Sequence, residues 1–106
     1  MSCWKVVYTE EAQDDLQSFD HSVQLIILKN IDKVVQNPLP NTEGGYGKPL
    51  GNSGNTHLSG LLKIKLRASG IRIVYQLVRT ELSMKVIVIA LRDDNQVYKI
   101  AHSRLH

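Results

Sequence analysis

Lys63, Lys65 and Arg67 stand two residues apart in a segment where Leu62, Ile64 and Leu66 fill the alternate positions. A period of two sends the three cations to one face of a strand and the three aliphatics to the other. Arg72 follows across Ser69-Gly70, Arg92 ends a later apolar run, and Tyr98 comes six residues after it. Cations gathered beside a tyrosine suit a phosphodiester: they hold the anion and offset charge building on its oxygens, while the phenol exchanges protons. RNA brings its own nucleophile, because its 2′-hydroxyl can attack the neighbouring phosphorus. Alternating cations on a strand are also what a plain solvated face looks like, so the spacing alone does not decide between the two.

Other chemistries have no local support. There is no glycine-rich phosphate loop after a strand, no His-Glu-x-x-His and no Gly-x-Ser-x-Gly. The four histidines, His21, His57, His102 and His106, lack metal-ligand spacing, and Glu10, Glu11, Asp14 and Asp15 read as a solvated helix face. The expectation is a site that uses no cofactor and no metal. A single cysteine, Cys3, excludes an intramolecular disulfide and fits a reducing compartment.

Elements that would position these residues can be read along the chain. Trp4 to Tyr8 reads as a first strand, and Thr9 as the N-cap of a helix over about 10–19 with Glu10 and Glu11 in its first turn. Ala12, Leu16 and Phe19 form its apolar stripe. Asp20 offers a second cap, and Val23, Ile26, Ile27, Ile31, Val34 and Val35 continue at helical spacing to about Gln36, where Asn37-Pro38 stops the run. Three prolines and six glycines then fall within residues 37–60, which reads as a long irregular connection around Asn41 to Asn55, with His57 an ordinary polar loop residue. Strands follow: Leu61 to Arg67, a turn at Ser69-Gly70, Ile71 to Val78, a connection at Thr80 to Ser83, and the apolar Met84 to Leu91. Tyr98 to Leu105 reads as a strand that becomes a terminal helix, with Ile100 and Leu105 inward. The expected fold is α+β, with two N-terminal helices packed on an antiparallel sheet, in one domain spanning residues 1–106.

Composition agrees with one globular core: 106 residues, 42% hydrophobic and 22% charged. No stretch reaches the roughly 20 apolar residues of a spanning helix, so a cytoplasmic protein without membrane contact is expected. The net charge of +3 hides an asymmetry, because residues 61–106 hold nine of the thirteen basic residues and only three of the ten acids. Positive charge gathered in one half attracts a polyanion, and nucleic acid is the commonest such partner.

The run from Gly60 to Gln76, Gly-Leu-Leu-Lys-Ile-Lys-Leu-Arg-Ala-Ser-Gly-Ile-Arg-Ile-Val-Tyr-Gln, resembles the signature segment of the RelE family of bacterial toxins, and Arg92 to Tyr98 fits its C-terminal part. The resemblance implies a toxin of a type II toxin–antitoxin system that enters the ribosomal A site and cuts messenger RNA, leaving a 2′,3′-cyclic phosphate and a 5′-hydroxyl. It further implies the catalytic set Lys63, Lys65, Arg72, Arg92 and Tyr98, complete in type and order. Lys65 is a candidate for taking the 2′-hydroxyl proton, Arg92 for donating to the 5′-oxygen or stabilising its charge, and Tyr98 for positioning the nucleotide and sharing the base role. Arg67, Lys85 and Lys99 are candidate contacts to RNA or the ribosome. The implied partners are a cognate antitoxin, the ribosome and mRNA, with the oligomeric state open.

The chain departs from the family pattern at Ala90 and Leu91, where a glycine and a lysine usually precede the strand-terminal arginine. It departs again at Leu62, which is often aromatic, and in its longer glycine-rich connection. The alternative reading is the ParE branch, which shares the fold, poisons DNA gyrase by binding, and generally lacks the Lys, Arg and Tyr constellation.

Overall fold

The structure is a computed structural model that describes residues 3–50, 52–53, 56–57, 60–67, 69–91 and 93–105, with the backbone alone described for 52, 53, 56, 57 and 94. Strand β1 (Lys5–Tyr8) leads into α1 (Glu10–Gln17). Thr9 caps that helix as its sequence predicts, its Oγ1 accepting the Ala12 N–H at 3.0 Å. Asp20 occupies the cap position of α2 (His21–Val34) but makes no side-chain capping bond. The turn between the helices is tied instead by Gln24, whose Nε2 donates to the Phe19 carbonyl at 2.8 Å.

Both helices lay one stripe on the sheet. Ala12, Ile27, Ile31 and Val34 are buried there, with Leu16, Phe19, Val23 and Val35 packed at the margin. Ile26 departs from expectation and is 52% exposed. At about 100° per residue, the row Ile27, Ile31, Val34 centres the buried stripe and turns Ile26 out of it.

The five-stranded sheet has the order β1-β7-β6-β5-β2, built from β2 (Lys48–Pro49), β5 (Leu61–Leu66), β6 (Ile71–Val78) and β7 (Ser83–Ala90) with β1 at one edge. The strands β5, β6 and β7 form the expected antiparallel meander, with Gly70 at φ 74° in the turn between the first two. The sheet is nevertheless mixed, because β1 runs parallel to β7. No hairpin joins those two strands, so nothing in the connection forces the antiparallel sense.

The long connection is more ordered than its composition suggests. A 3₁₀ turn at Asn41–Glu43, β2, and the small pair β3 (Asn52–Ser53) and β4 (Thr56–His57) lie within it. The expected irregular stretch also covers residues 51, 54 and 55, which lie outside the described residues.

The C-terminal segment is a single helix, α3 (Asp94–Leu105), rather than a strand turning into one. Asp93 starts it: its Oδ1 accepts the Gln96 N–H at 2.9 Å and its carbonyl accepts the Val97 N–H. Val97 and Ala101 are buried against Leu61, Val74, Ile87 and Val88, with Tyr98, Ile100 and Leu105 packed around them. The sheet therefore lies between the helical hairpin on one face and α3 on the other. A β-bulge in β7 serves both cores, since Val74 pairs with Val88 and Tyr75 with Val86. The extra residue puts Ile87 and Val88 together on the α3 side while Met84, Val86 and Ile89 face the hairpin.

Tyr75 pins the connection to the sheet. It is fully buried, its hydroxyl donates to the Pro38 carbonyl at 2.6 Å, and burial pushes its phenol well above the usual range. Gly47 passes so close that a Cβ there would collide with the Tyr75 hydroxyl and Leu62. Tyr75→Phe leaves the Pro38 carbonyl unpaired and is expected to cost about 1–3 kcal/mol. Gly47→Ala is expected to destabilise by a similar amount through overpacking. Urea denaturation checks both; midpoints equal to wild type would show that this anchor is dispensable.

Candidate functional site

Strand register decides which cations meet. Lys65 lies directly opposite Arg72 on β6, and Lys63 lies opposite Val74. On its other side Lys63 faces Lys48 of β2. Because Leu62, Ile64 and Leu66 pack toward the helical hairpin, alternation sends Lys63 and Lys65 to the opposite face, together with their cross-strand partners Lys48 and Arg72. Four cations thus share one face of three adjacent strands. Like charges directly across a ladder repel, so the arrangement works against sheet stability unless an anion sits among them.

The two lysines are not equivalent. Lys63 is 9% exposed, and its Nζ donates to the Tyr98 hydroxyl at 2.8 Å. Its ammonium also lies 5.4 Å from the Tyr98 ring centroid, within cation–π range. Lys65 stands exposed on the open part of the same face. Arg72 is half-buried and folds over its own turn, Nη1 donating to the Gly70 carbonyl at 2.9 Å.

Tyr98 reaches the strands because it lies on the sheet-facing side of α3, next to the buried Val97. Helix α3 therefore covers part of the cationic face, and both sides of the sheet carry helices. The two N-terminal helices pack on the face away from the cations, as expected of them, and α3 is the one that shares the cationic side.

The remaining candidates scatter. Arg67 is exposed just beyond β5 and lines a cleft of about 360 Å³ with Lys48, Lys63 and Lys65. Lys85 pairs with Gln76, in the row that also contains Leu61. That row lies on the same face but four residues along from the Lys65–Arg72 row, about 13 Å at the strand rise. Lys99 is exposed on α3. Arg92 lies outside the described residues. Lys48 belongs with the cationic set and is absent from the sequence-derived one; its only signal was being the lone basic residue between Lys33 and Lys63.

Metal ligands do not gather: no group of three His, Cys, Asp or Glu residues is placed to hold an ion among the described residues. No helix among them is long and apolar enough to cross a membrane. The face instead offers an anion several charge-assisted donors around a tyrosine.

Comparison with known proteins assigns the chain to the toxins of type II toxin–antitoxin systems. The sequence model described as "ParE toxin of type II toxin-antitoxin system, parDE" matches residues 6–98, and the chain belongs to this family and to the RelE/ParE superfamily. A RelE-like toxin protein from Escherichia coli is 30% identical over 106 residues, covering 96% of this chain and 97% of the relative. Among solved structures, the isolated E. coli RelE toxin matches with a TM-score of 0.69 at 24% identity, covering 98% of this chain and all of the other. A mutant of the same toxin in the free state matches at 0.74 and 23% identity over the full length of both. The toxin in the RelBE2 complex from Mycobacterium tuberculosis matches at 0.69 and 19% identity, covering 89% of this chain and 97% of that one. At these identities the structures establish the shared fold.

Proposed function

We propose that this toxin is an endoribonuclease that cuts messenger RNA in the ribosomal A site, in the cytoplasm. The observation that carries the reading is the Lys63–Tyr98 hydrogen bond beside the cross-strand pair Lys65–Arg72. In the reaction the 2′-oxygen of one nucleotide attacks the adjacent phosphorus, losing its proton, and the bond from phosphorus to the 5′-oxygen breaks. The products are a 2′,3′-cyclic phosphate and a 5′-hydroxyl whose proton the protein or solvent supplies. Lys63 and Arg72 hold the phosphate and offset its growing charge. Lys65, on the open part of the face, takes the 2′-hydroxyl proton. Tyr98, oriented by Lys63, aligns the nucleotide and shares the base role. Arg92, assigned by the family resemblance, stabilises the departing 5′-oxygen; an arginine stays protonated at any ordinary pH, so its action is mainly electrostatic.

A cognate antitoxin is the second partner. Structures of the related fold include an intact E. coli RelBE toxin–antitoxin complex and a RelE mutant bound to an antitoxin peptide. The cationic face attracts an acidic or amphipathic segment of such a partner, with charge speeding encounter and apolar contacts sustaining it.

A second reading, inhibition of DNA gyrase by binding, is favoured by the match to a family model that bears the ParE name. One paired experiment separates them: mapping RNA 5′ ends after induction, alongside a gyrase supercoiling assay. New 5′ ends within translated messages, with gyrase unaffected, are expected. Intact messages together with blocked supercoiling would move the protein to the gyrase branch. Arg67→Ala, exposed at the cleft and outside the catalytic set, is expected to weaken ribosome binding several-fold in a salt-dependent way. Its single-turnover rate on bound ribosomes should stay within about twofold of wild type.

A further inference from the structure

The cleft beside the cationic strand has a wall that the catalytic set does not use. On the N-terminal side of Lys48 the pairing of β2 with β5 ends, and the 41–47 turn borders the space this leaves beside Lys65 and Arg67. Asn41 and Tyr46 line the cleft with Lys48, Lys63, Lys65 and Arg67. At about 360 Å³, it falls within the ordinary range of small-ligand sites.

The wall is rigid despite its glycines. Asn41 N–H donates to the Gly47 carbonyl at 2.6 Å, Gly47 N–H to Leu39 at 3.1 Å, Gly45 N–H to Pro40 at 3.0 Å and Tyr46 N–H to Asn37 at 3.0 Å. The Asn37 side chain closes the turn onto the Gly44 carbonyl, and Glu43 is paired with Arg79 at 2.5 Å. On this frame Tyr46 is 52% exposed, with Lys33 Nζ 5.4 Å from its ring centroid. A large aromatic held half-open at a polar cleft contributes nothing to the core, and one ring face remains for a ligand. The Asn41 side-chain amide makes no hydrogen bond among the described residues, so its donor and acceptor are both available.

We propose that this cleft is a nucleotide subsite, in which Tyr46 stacks on the base next to the scissile phosphate, Asn41 reads that base's edge, and Lys48 holds the adjoining phosphate. The assignment of the scissile phosphate rests on the nuclease reading above; the stacking and edge contacts rest on the cleft itself. Single-stranded RNA is favoured over an acidic peptide because an open aromatic ring and an unpaired side-chain amide stand together beside several cations, which matches the stacking face, the edge and the phosphate of an unstacked nucleotide. The subsite would set which codon positions are cut, making Tyr46 and Asn41 specificity residues rather than catalytic ones.

The test uses the full chain and short 2′-O-methyl oligoribonucleotides, one set for each base, which bind but cannot react. Binding is followed by fluorescence anisotropy. Tyr46→Leu is expected to weaken binding about 10-fold, while Tyr46→Trp stays within about twofold of wild type and its indole is quenched by the RNA. Asn41→Ala is expected to change the order of preference among the four bases. Far-UV circular dichroism checks that each variant is folded. No binding by wild type, or wild-type affinity and base preference in Tyr46→Leu and Asn41→Ala, overturns the subsite. So does loss in Tyr46→Leu of binding to an acidic peptide but not to RNA, which would mark a peptide groove. Tyr46-dependent binding by a protein that cuts no message supports the subsite and removes only the nuclease reading. Cleavage by wild type with Tyr46→Leu unchanged in binding and cut-site preference does the reverse.

Discussion

Lys65→Ala is expected to slow single-turnover cleavage of messenger RNA by about 10²-fold or more at saturating ribosome, the size usually lost with a general acid or base. Binding should change less, since Lys48, Lys63, Arg67 and Arg72 keep the face cationic. Lys65 is singled out over Lys63 by exposure and partners. Lys63 is 9% exposed and already donates to Tyr98, which suits a group that holds phosphate and tyrosine in place. Lys65 is open to an incoming 2′-hydroxyl and has Arg72 directly opposite. Lys65→Arg separates its two contributions. Arginine keeps the charge and cannot give up its proton, so a rate as low as that of Lys65→Ala would identify proton transfer, whereas recovery to within about 10-fold of wild type would identify electrostatics. Tyr98→Phe removes the acceptor for Lys63 and is expected to cost about 10²-fold as well. Equal rates for wild type, Lys65→Ala and Tyr98→Phe would sink the nuclease assignment.

The cation face was legible because a strand writes its two faces as alternate letters. Lys63-Ile64-Lys65-Leu66 needs no tertiary information to separate charge from core, and Ser69-Gly70 marks the turn that returns Arg72 beside Lys65. The N-terminal hairpin was legible for the same reason at a period of 3.6, except at Ile26, where apolar character alone does not distinguish the centre of a stripe from its edge. Of α3 only the end was read as helix, although Asp93 stands three residues before Gln96, a capping-box spacing, with Val97 and Ala101 four apart. Its apolar positions are few, and part of their burial comes from the β7 bulge that sends Ile87 and Val88 to the same side. No period in the sequence announces a bulge. Lys48 was hidden for another reason: two residues of β2 are too short to show alternation, and only their pairing with β5 reveals that Lys48 faces Lys63. The parallel sense of β1 is likewise a property of distant pairing, set after the chain has passed through both helices and strands β2 to β6.

Asp15 was read as part of a solvated acidic helix face, and the structure assigns it a different role with a large expected effect on stability. Strand β1 pairs with β7 only as far as Val86, leaving later backbone groups on that side of β7 without a strand to bond to. Two side chains take over. Asp15 Oδ2 accepts the Ile89 N–H at 3.0 Å, and Arg104 Nη1 donates to the Ile87 carbonyl at 2.7 Å. The same side chains pair with each other through two hydrogen bonds, Nη1 to Oδ2 at 2.7 Å and Nη2 to Oδ1 at 3.1 Å. They are only 21% and 19% exposed. The hydrogen bond to Asp15 raises the Arg104 pKa further above its ordinary value; partial burial opposes this, and the charges of Asp15, Glu11 and Asp14 reinforce it. One pair thus joins α1, the bulged part of β7 and the last turn of α3, the helix that carries Tyr98. Breaking a fully buried pair by removing one partner costs about 3–5 kcal/mol. Residual solvent access discounts that to about 2–4 kcal/mol for Arg104→Ala or Asp15→Ala, a fall in Tm of roughly 10–20 °C for a domain of this size. The double variant should be no worse than the more damaging single one, giving a coupling of about 2 kcal/mol or more in a double-mutant cycle. Hydrogen exchange should show α3 opening first in Arg104→Ala, so that cleavage falls through loss of Tyr98 from the face and recovers when temperature is lowered. A Tm within about 3 °C of wild type, or strictly additive single effects, would show that the pair is not what closes this edge of the sheet.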